Sequence, residues 1–144
     1  MIGPAFGLPF APAWVSGLFR WAILHLPNFF IWWDPRVKEK IVGPPHAYPR
    51  FSTQGLAETF RLGMVVRNAA KETKPAAKQI QMVLSAFDAA IHLPTARKVA
   101  EEWQQHGGDV SVYEFAKDLK IWHDMIDPQQ STQQIDVVYP VVLP

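Results

Sequence analysis

The chain has 144 residues, 49% of them hydrophobic and 19% charged, which is the apolar content of a folded protein at the length of a single domain and excludes disorder as the default. Fourteen basic residues against 13 acidic ones leave a formal net charge of +1, no field of the kind that gathers nucleic acid, so no nucleic-acid partner is expected. The absence of cysteine excludes disulfides and thiolate metal sites and fits a reducing compartment, so a cytoplasmic location is expected.

Met1 to Phe10 carry no positive stretch, and Pro4 and Pro9 interrupt them, so no export signal is expected there. From Phe6 to Trp33 the chain is very apolar, but Pro9, Pro12, Arg20, His25 and Pro27 break it. The cleanest helical stretch, Trp14 to Leu26, falls short of the roughly 20 residues of a membrane span. It is expected to be an apolar helix that lies exposed or against a partner. Pro35 to Ile41 reads as a short second helix and Gly43 to Phe51 as a proline-broken loop. Ser52 then stands where an N-cap belongs, ahead of a helix with Leu56, Phe60 and Met64 on one face. Helices without strands make no deep core, and Trp14, Trp21, Phe29, Phe30, Trp32 and Trp33 would leave a broad apolar surface. The half up to Lys71 therefore reads as a unit that sits on another body.

The polar segment Lys71 to Lys78, with Pro75 in it, marks a boundary, which divides the chain into 1–73 and 74–144. Beyond it the pattern changes. Ile80 to Ser85 is a short apolar run of the kind found in strands covered on both faces. Pro94 to His106 has Val99, Ala100 and Trp103 at helical spacing and stops at Gly107 and Gly108. Val110 to Phe115 is a second strand. Strand, helix and strand at this length form a βαβ unit, which requires a parallel sheet and a right-handed crossover, and Ser131 to about Tyr139 completes it with a last helix that turns Ile135, Val138 and Tyr139 inward. Two parallel strands need neighbours at their edges and faces, so the pattern implies partners outside these residues.

Reactive groups in open α/β sheets gather at the carboxyl ends of parallel strands. That rule selects Asp88, just past the first strand, and His123, in the loop beyond the second. An acid and a histidine on neighbouring loops at one sheet edge can hydrogen-bond, which fixes the imidazole tautomer and stabilises the imidazolium. Alone, Asp88 reads equally as a turn residue and His123 as a surface histidine. The doublet His123-Asp124, with His92 upstream, superficially matches the metal doublet of all-helical HD phosphohydrolases, but those ligands sit on helices and here a strand precedes. No metal and no cofactor are expected; Asp124 and Asp127 read as turn residues, and His25, His46, His92 and His106 have no metal-ligand spacing.

Strand, Ser85-Ala86-Phe87-Asp88-Ala89-Ala90-Ile91, a helix ending in glycine, a second strand, and Leu119-Lys120-Ile121-Trp122-His123-Asp124-Met125-Ile126-Asp127-Pro128 together resemble the last third of an α/β-hydrolase of the serine aminopeptidase and monoacylglycerol lipase type. The resemblance implies a partial α/β-hydrolase fold, a helical cap followed by a βαβα unit of a parallel sheet. Asp88 matches the family's acid and His123 its general base, in the family's chain order of serine, acid and histidine. The aromatic helices before Lys71 resemble the inserted cap, and Ile2 to Pro9 resembles the loop that leaves the strand before it. The pattern departs at the nucleophile. None of Ser16, Ser52, Ser85, Ser111 or Ser131 lies in G-x-S-x-G, the strained turn that exposes the family's serine, and the oxyanion-hole loop has no counterpart.

The resemblance thus implies the C-terminal portion of a carboxylesterase-like or lipase-like serine hydrolase, with the N-terminal half of the fold, or an equivalent partner, bringing the serine. Its implied substrate is an apolar acyl ester, amide cleavage staying open, with Trp14, Phe29, Trp32 and Trp33 shaping the acyl site. The alternative is a non-catalytic module that docks on a partner or a membrane surface through its aromatic helices.

Overall fold

A computed structural model describes residues 1–4, 6, 13–33, 35, 36, 38 and 48–143, without the side chains of residues 13, 14, 16, 19 and 20. Its architecture is mixed α/β. In chain order come helix α1 (Ala13–His25), strands β1 (Phe30–Trp32) and β2 (Arg50–Ser52), helix α2 (Thr53–Ala70), strand β3 (Ile80–Ser85), helix α3 (Leu93–Gln105), strand β4 (Val110–Phe115), a short 3-10 turn (Lys117–Leu119) and helix α4 (Ile135–Val142).

Strand β3 organises the second half. It pairs in parallel with β4 in the register Ile80 to Val110 through Ser85 to Phe115. On its other side Val83 donates its N–H to the Met1 carbonyl at 2.8 Å and accepts from the Gly3 N–H at 3.1 Å, a parallel bridge centred on Ile2. Bonded on both edges, β3 is an interior strand. Its side chains alternate between two apolar layers, as the period of two demands. Met82 and Leu84 pack with Ala96, Val99, Ala100 and Trp103 of α3, with Phe6 and with Ala70 at the end of α2. Val83 packs on the opposite layer with Phe115, Ile121, Met125 and Val138 of α4. Burial of residues 82–85 on both faces is the reason that the strand reads as a mostly apolar run, with Gln81 exposed near its start.

Helix α3 ends as its glycines require. Gly107 adopts φ +80, and the Gly107 and Gly108 amides donate to the carbonyls of Gln104 and Trp103 at 2.9 and 2.8 Å, the paired bonds of a Schellman cap. Pro75 lies so close that a Cβ on Gly108 would fall 2.8 Å from its Cδ, which seats the Lys71 to Lys78 segment against the helix end.

The first half departs from expectation. It holds a strand pair: β1 and β2 are antiparallel, Phe30 opposite Ser52 and Trp32 opposite Arg50, so the segment expected to be a loop up to Phe51 ends in a strand. Phe30, Ile31 and Trp32 are aromatic and β-branched residues that favour the pleat. The Arg50 guanidinium lies 5.0 Å from the centre of the Trp32 ring and the Trp33 and Phe51 rings are 4.4 Å apart. Ser52 caps α2 by accepting from the Gly55 amide at 3.0 Å, and Phe60 is buried while Leu56 and Met64 are half-buried. Of the short helix expected over Pro35 to Ile41, Pro35 and Arg36 lie in a turn and Lys38 in a 3-10 position; its other residues, like His46, lie outside the described ones. Among the described residues no helix is long and apolar enough to cross a membrane, and Leu18, Trp21, Leu26, Phe29, Phe30 and Trp33 are exposed.

The last helix is a second correction. It begins at Ile135, not Ser131, and runs through Pro140 to Val142. Ser131 and Thr132 lie in a turn, the residue before the helix is Gln134, whose side chain does not cap it, and the Gln133 side chain accepts from the Ile135 amide at 2.9 Å. Val138 is buried, and Ile135 and Tyr139 are half-buried.

Leu84 has no exposed surface and makes part of the layer beneath α3. Leu84→Ala is expected to lower unfolding stability by about 2–5 kcal/mol in denaturant titrations.

Candidate functional site

Two chain segments leave the carboxyl ends of β3 and β4 and meet. After Ser85 the chain turns, with the Asp88 amide donating to the Ser85 carbonyl at 3.1 Å, and this turn delivers the Asp88 carboxylate inward. One of its oxygens, Oδ1, accepts from the Ala90 amide at 2.7 Å; the other, Oδ2, lies 2.7 Å from His123 Nδ1. A carboxylate only accepts, so Nδ1 carries the proton and Nε2 is left as the basic nitrogen. The Asp88 side chain is 1% exposed and that of His123 42%. The carboxylate is therefore shielded from water and doubly bonded, and the imidazole keeps an open side.

The His123 segment is held from below. Beyond β4 the chain makes the 3-10 turn, passes Lys120 at φ +51, and buries Ile121 and Met125. The buried Ser85 hydroxyl donates to the Ile121 carbonyl at 2.7 Å and accepts from the Phe87 amide at 3.2 Å. Ser85 thus ties together the loop that carries the acid and the loop that carries the base. Phe87 and Trp122, the neighbours of the pair, meet edge to face with ring centres 5.2 Å apart. Sequence reasoning missed Ser85 as a brace; its place as the last residue of an apolar strand, where a hydroxyl needs a buried partner, was the available signal.

Hydrogen bonding to Asp88 is the strongest influence on His123 and raises its pKa above the ordinary 6.5; burial opposes this, and the charges of Asp88 and Asp124 add to it. Asp124 and Asp127 make turns: the Asp124 carbonyl accepts from the Asp127 amide at 3.1 Å, and the Asp127 carboxylate accepts from the Gln129 amide at 2.8 Å. Among the described residues no three His, Asp or Glu side chains are grouped to hold a metal ion. His92 pairs with Thr95 at 2.7 Å, and His106 with the Lys71 carbonyl at 2.9 Å, both as fastenings of α3.

The aromatic residues assigned from sequence to an acyl site form a separate group. Phe29, Trp32 and Trp33 surround the β1–β2 pair, where the ring contacts of Trp32 and Trp33 are with Arg50 and Phe51, not with His123. Trp14 lies on α1, and its side chain is outside the described residues.

No protein-family model matches the chain, and no curated protein or solved structure matches it either.

The raised pKa of His123 has a consequence for stability. A group bound more tightly to its proton in the folded state stabilises the fold fully below its unfolded value, near 6.5, and loses that contribution as the pH rises through the higher folded value. Denaturant titrations of the unchanged chain and of His123→Ala are expected to differ most below the unfolded value of His123 and by less as the pH climbs past the folded value. A gap that does not change with pH would remove the ion pair.

Proposed function

We propose that this chain is the C-terminal portion of a serine hydrolase of the carboxylesterase or lipase type, that β3 and β4 are the last two strands of its α/β-hydrolase sheet, and that the opening segment leaves the strand before the cap, with the aromatic helices as that cap. The observation that carries the reading is the 2.7 Å bond between a buried acid and a half-open histidine, delivered from the carboxyl ends of adjacent parallel strands. That placement is where such sheets carry out their chemistry, and the hydrogen bond fixes the tautomer a general base needs.

In this reading a serine hydroxyl borne on polypeptide outside these residues attacks the acyl carbon of an ester. His123 Nε2 takes the hydroxyl proton as the oxygen–carbon bond forms, and the tetrahedral intermediate collapses as the imidazolium returns that proton to the leaving alcohol. Water then repeats the sequence, giving its proton to Nε2 and releasing the acid and the free serine. Asp88 accepts from Nδ1–H throughout and steadies the imidazolium. The exposed rings of Phe29 and Trp33 suit an apolar acyl group, and Trp14 and Trp32 are proposed as further contacts of it.

The same exposed surface, Leu18, Trp21, Phe29, Phe30 and Trp33 among it, supports a second reading: a non-catalytic module that docks on a partner or membrane face. Activity separates the two. Co-expressed with a front half of the fold that carries G-x-S-x-G, the chain is expected to release nitrophenol from a short-chain nitrophenyl ester, whereas either piece alone does not. His123→Ala is expected to lower that rate about 10²–10⁴-fold, and Asp88→Asn by up to about 10⁴-fold. No gain on combination, or a gain that survives His123→Ala, overturns the hydrolase reading and leaves the docking module.

A further inference from the structure

The opening segment does more than pair with β3. Gly3 stands directly against the acid and the base: a Cβ built on it would lie 3.1 Å from His123 Cε1, 3.2 Å from His123 Nδ1 and 3.6 Å from Asp88 Oδ2, and the residue itself adopts φ +50. Its backbone cannot retreat at no cost, because the Gly3 amide donates to the Val83 carbonyl at 3.1 Å while the Met1 carbonyl accepts from the Val83 amide at 2.8 Å. Asp88 cannot retreat either, since Oδ1 is held by the Ala90 amide and its side chain is buried. Of the groups that meet here, the half-exposed imidazole is the one free to move.

We infer that Gly3 is a positioning residue for the Asp88 and His123 pair, the missing side chain leaving the space in which the imidazole stays turned toward the carboxylate. The inference rests on the reading of that pair as acid and base. A methyl group at position 3 approaches the ring more closely than ordinary van der Waals contact at 3.4–4 Å, so the ring must shift by a few tenths of an ångström away from the strand and from Oδ2. Two effects act together in Gly3→Ala, the displaced ring and the cost of a positive φ. Gly3→Asn separates them, since asparagine tolerates the left-handed conformation yet carries the same Cβ.

The test is a histidine titration by NMR on the 144-residue chain, unchanged and as Gly3→Ala, Gly3→Asn and Asp88→Asn, with His123→Ala to assign the signal. In the unchanged chain, an Overhauser contact between Gly3 Hα and His123 Hε1 and a slowly exchanging His123 Nδ1 proton are expected. Both Gly3 variants should move the His123 midpoint most of the way down to its value in Asp88→Asn and lose the Nδ1 proton, while circular dichroism stays that of the unchanged chain. Asp124, the other carboxylate acting on His123, is present in every variant and cancels from the comparison. Folded Gly3 variants with an unaltered His123 midpoint overturn the inference and leave the pair intact. A midpoint that Asp88→Asn does not lower instead removes the pair, and with it the hydrolase reading. Should neither Gly3 variant fold, the Overhauser contact decides: its presence in the unchanged chain sustains the close approach, and its absence overturns it.

Discussion

Backbone hydrogen bonds leave β3 in two directions, to β4 along one edge and to Met1 and Gly3 along the other, and the positions of all the chemical groups follow from that. Covered on both faces, the strand serves two apolar layers at once: Met82 and Leu84 for α3, Val83 for α4. Once the strand is fixed, its carboxyl end can point in only one direction. The turn after Ser85 and the loop after Phe115 then open on the same side, and a carboxylate and an imidazole set 35 residues apart in sequence come within 2.7 Å.

A carboxylate with 1% of its side chain exposed has given up water on nearly every side, a cost repaid only by bonds to its oxygens. Asp88 has one for each oxygen, from a backbone amide two residues on and from the imidazole. That arrangement accounts for the proton held tightly on His123 and for the need to build the surrounding loop rigidly. Lys120 accepts a left-handed backbone and Ile121 and Met125 bury themselves beside Val138, so the histidine rests on packed residues although its own ring is partly in solvent.

The second half was legible because its signals are local and strong. A mostly apolar run of six residues, a helix with Val99, Ala100 and Trp103 in register and a pair of glycines at its end leave little choice, and the bounds of β3 and β4 match the runs read from the sequence. The topology then placed Asp88 and His123 on neighbouring loops. What could not be read came from contacts between distant residues. The β1–β2 ladder is three residues long, and beside it the Asn28 side-chain oxygen Oδ1 accepts from the Ser52 hydroxyl and the Gln54 amide, partners no period reveals. The start of α4 lies four residues beyond the expected serine, at a helix end without a side-chain cap. The approach of Gly3 to the imidazole depends on a parallel bridge between residues 81 apart, which no local pattern announces.

Ser85 has a further meaning. Its carbonyl receives the amide of the acid, and its hydroxyl grips the carbonyl of Ile121, two residues before the base. The loop of the acid and the loop of the base are thereby fastened to one buried residue, its carbonyl holding the first and its hydroxyl the second, so the spacing of the dyad is referred to the end of β3 and not to the aromatic half.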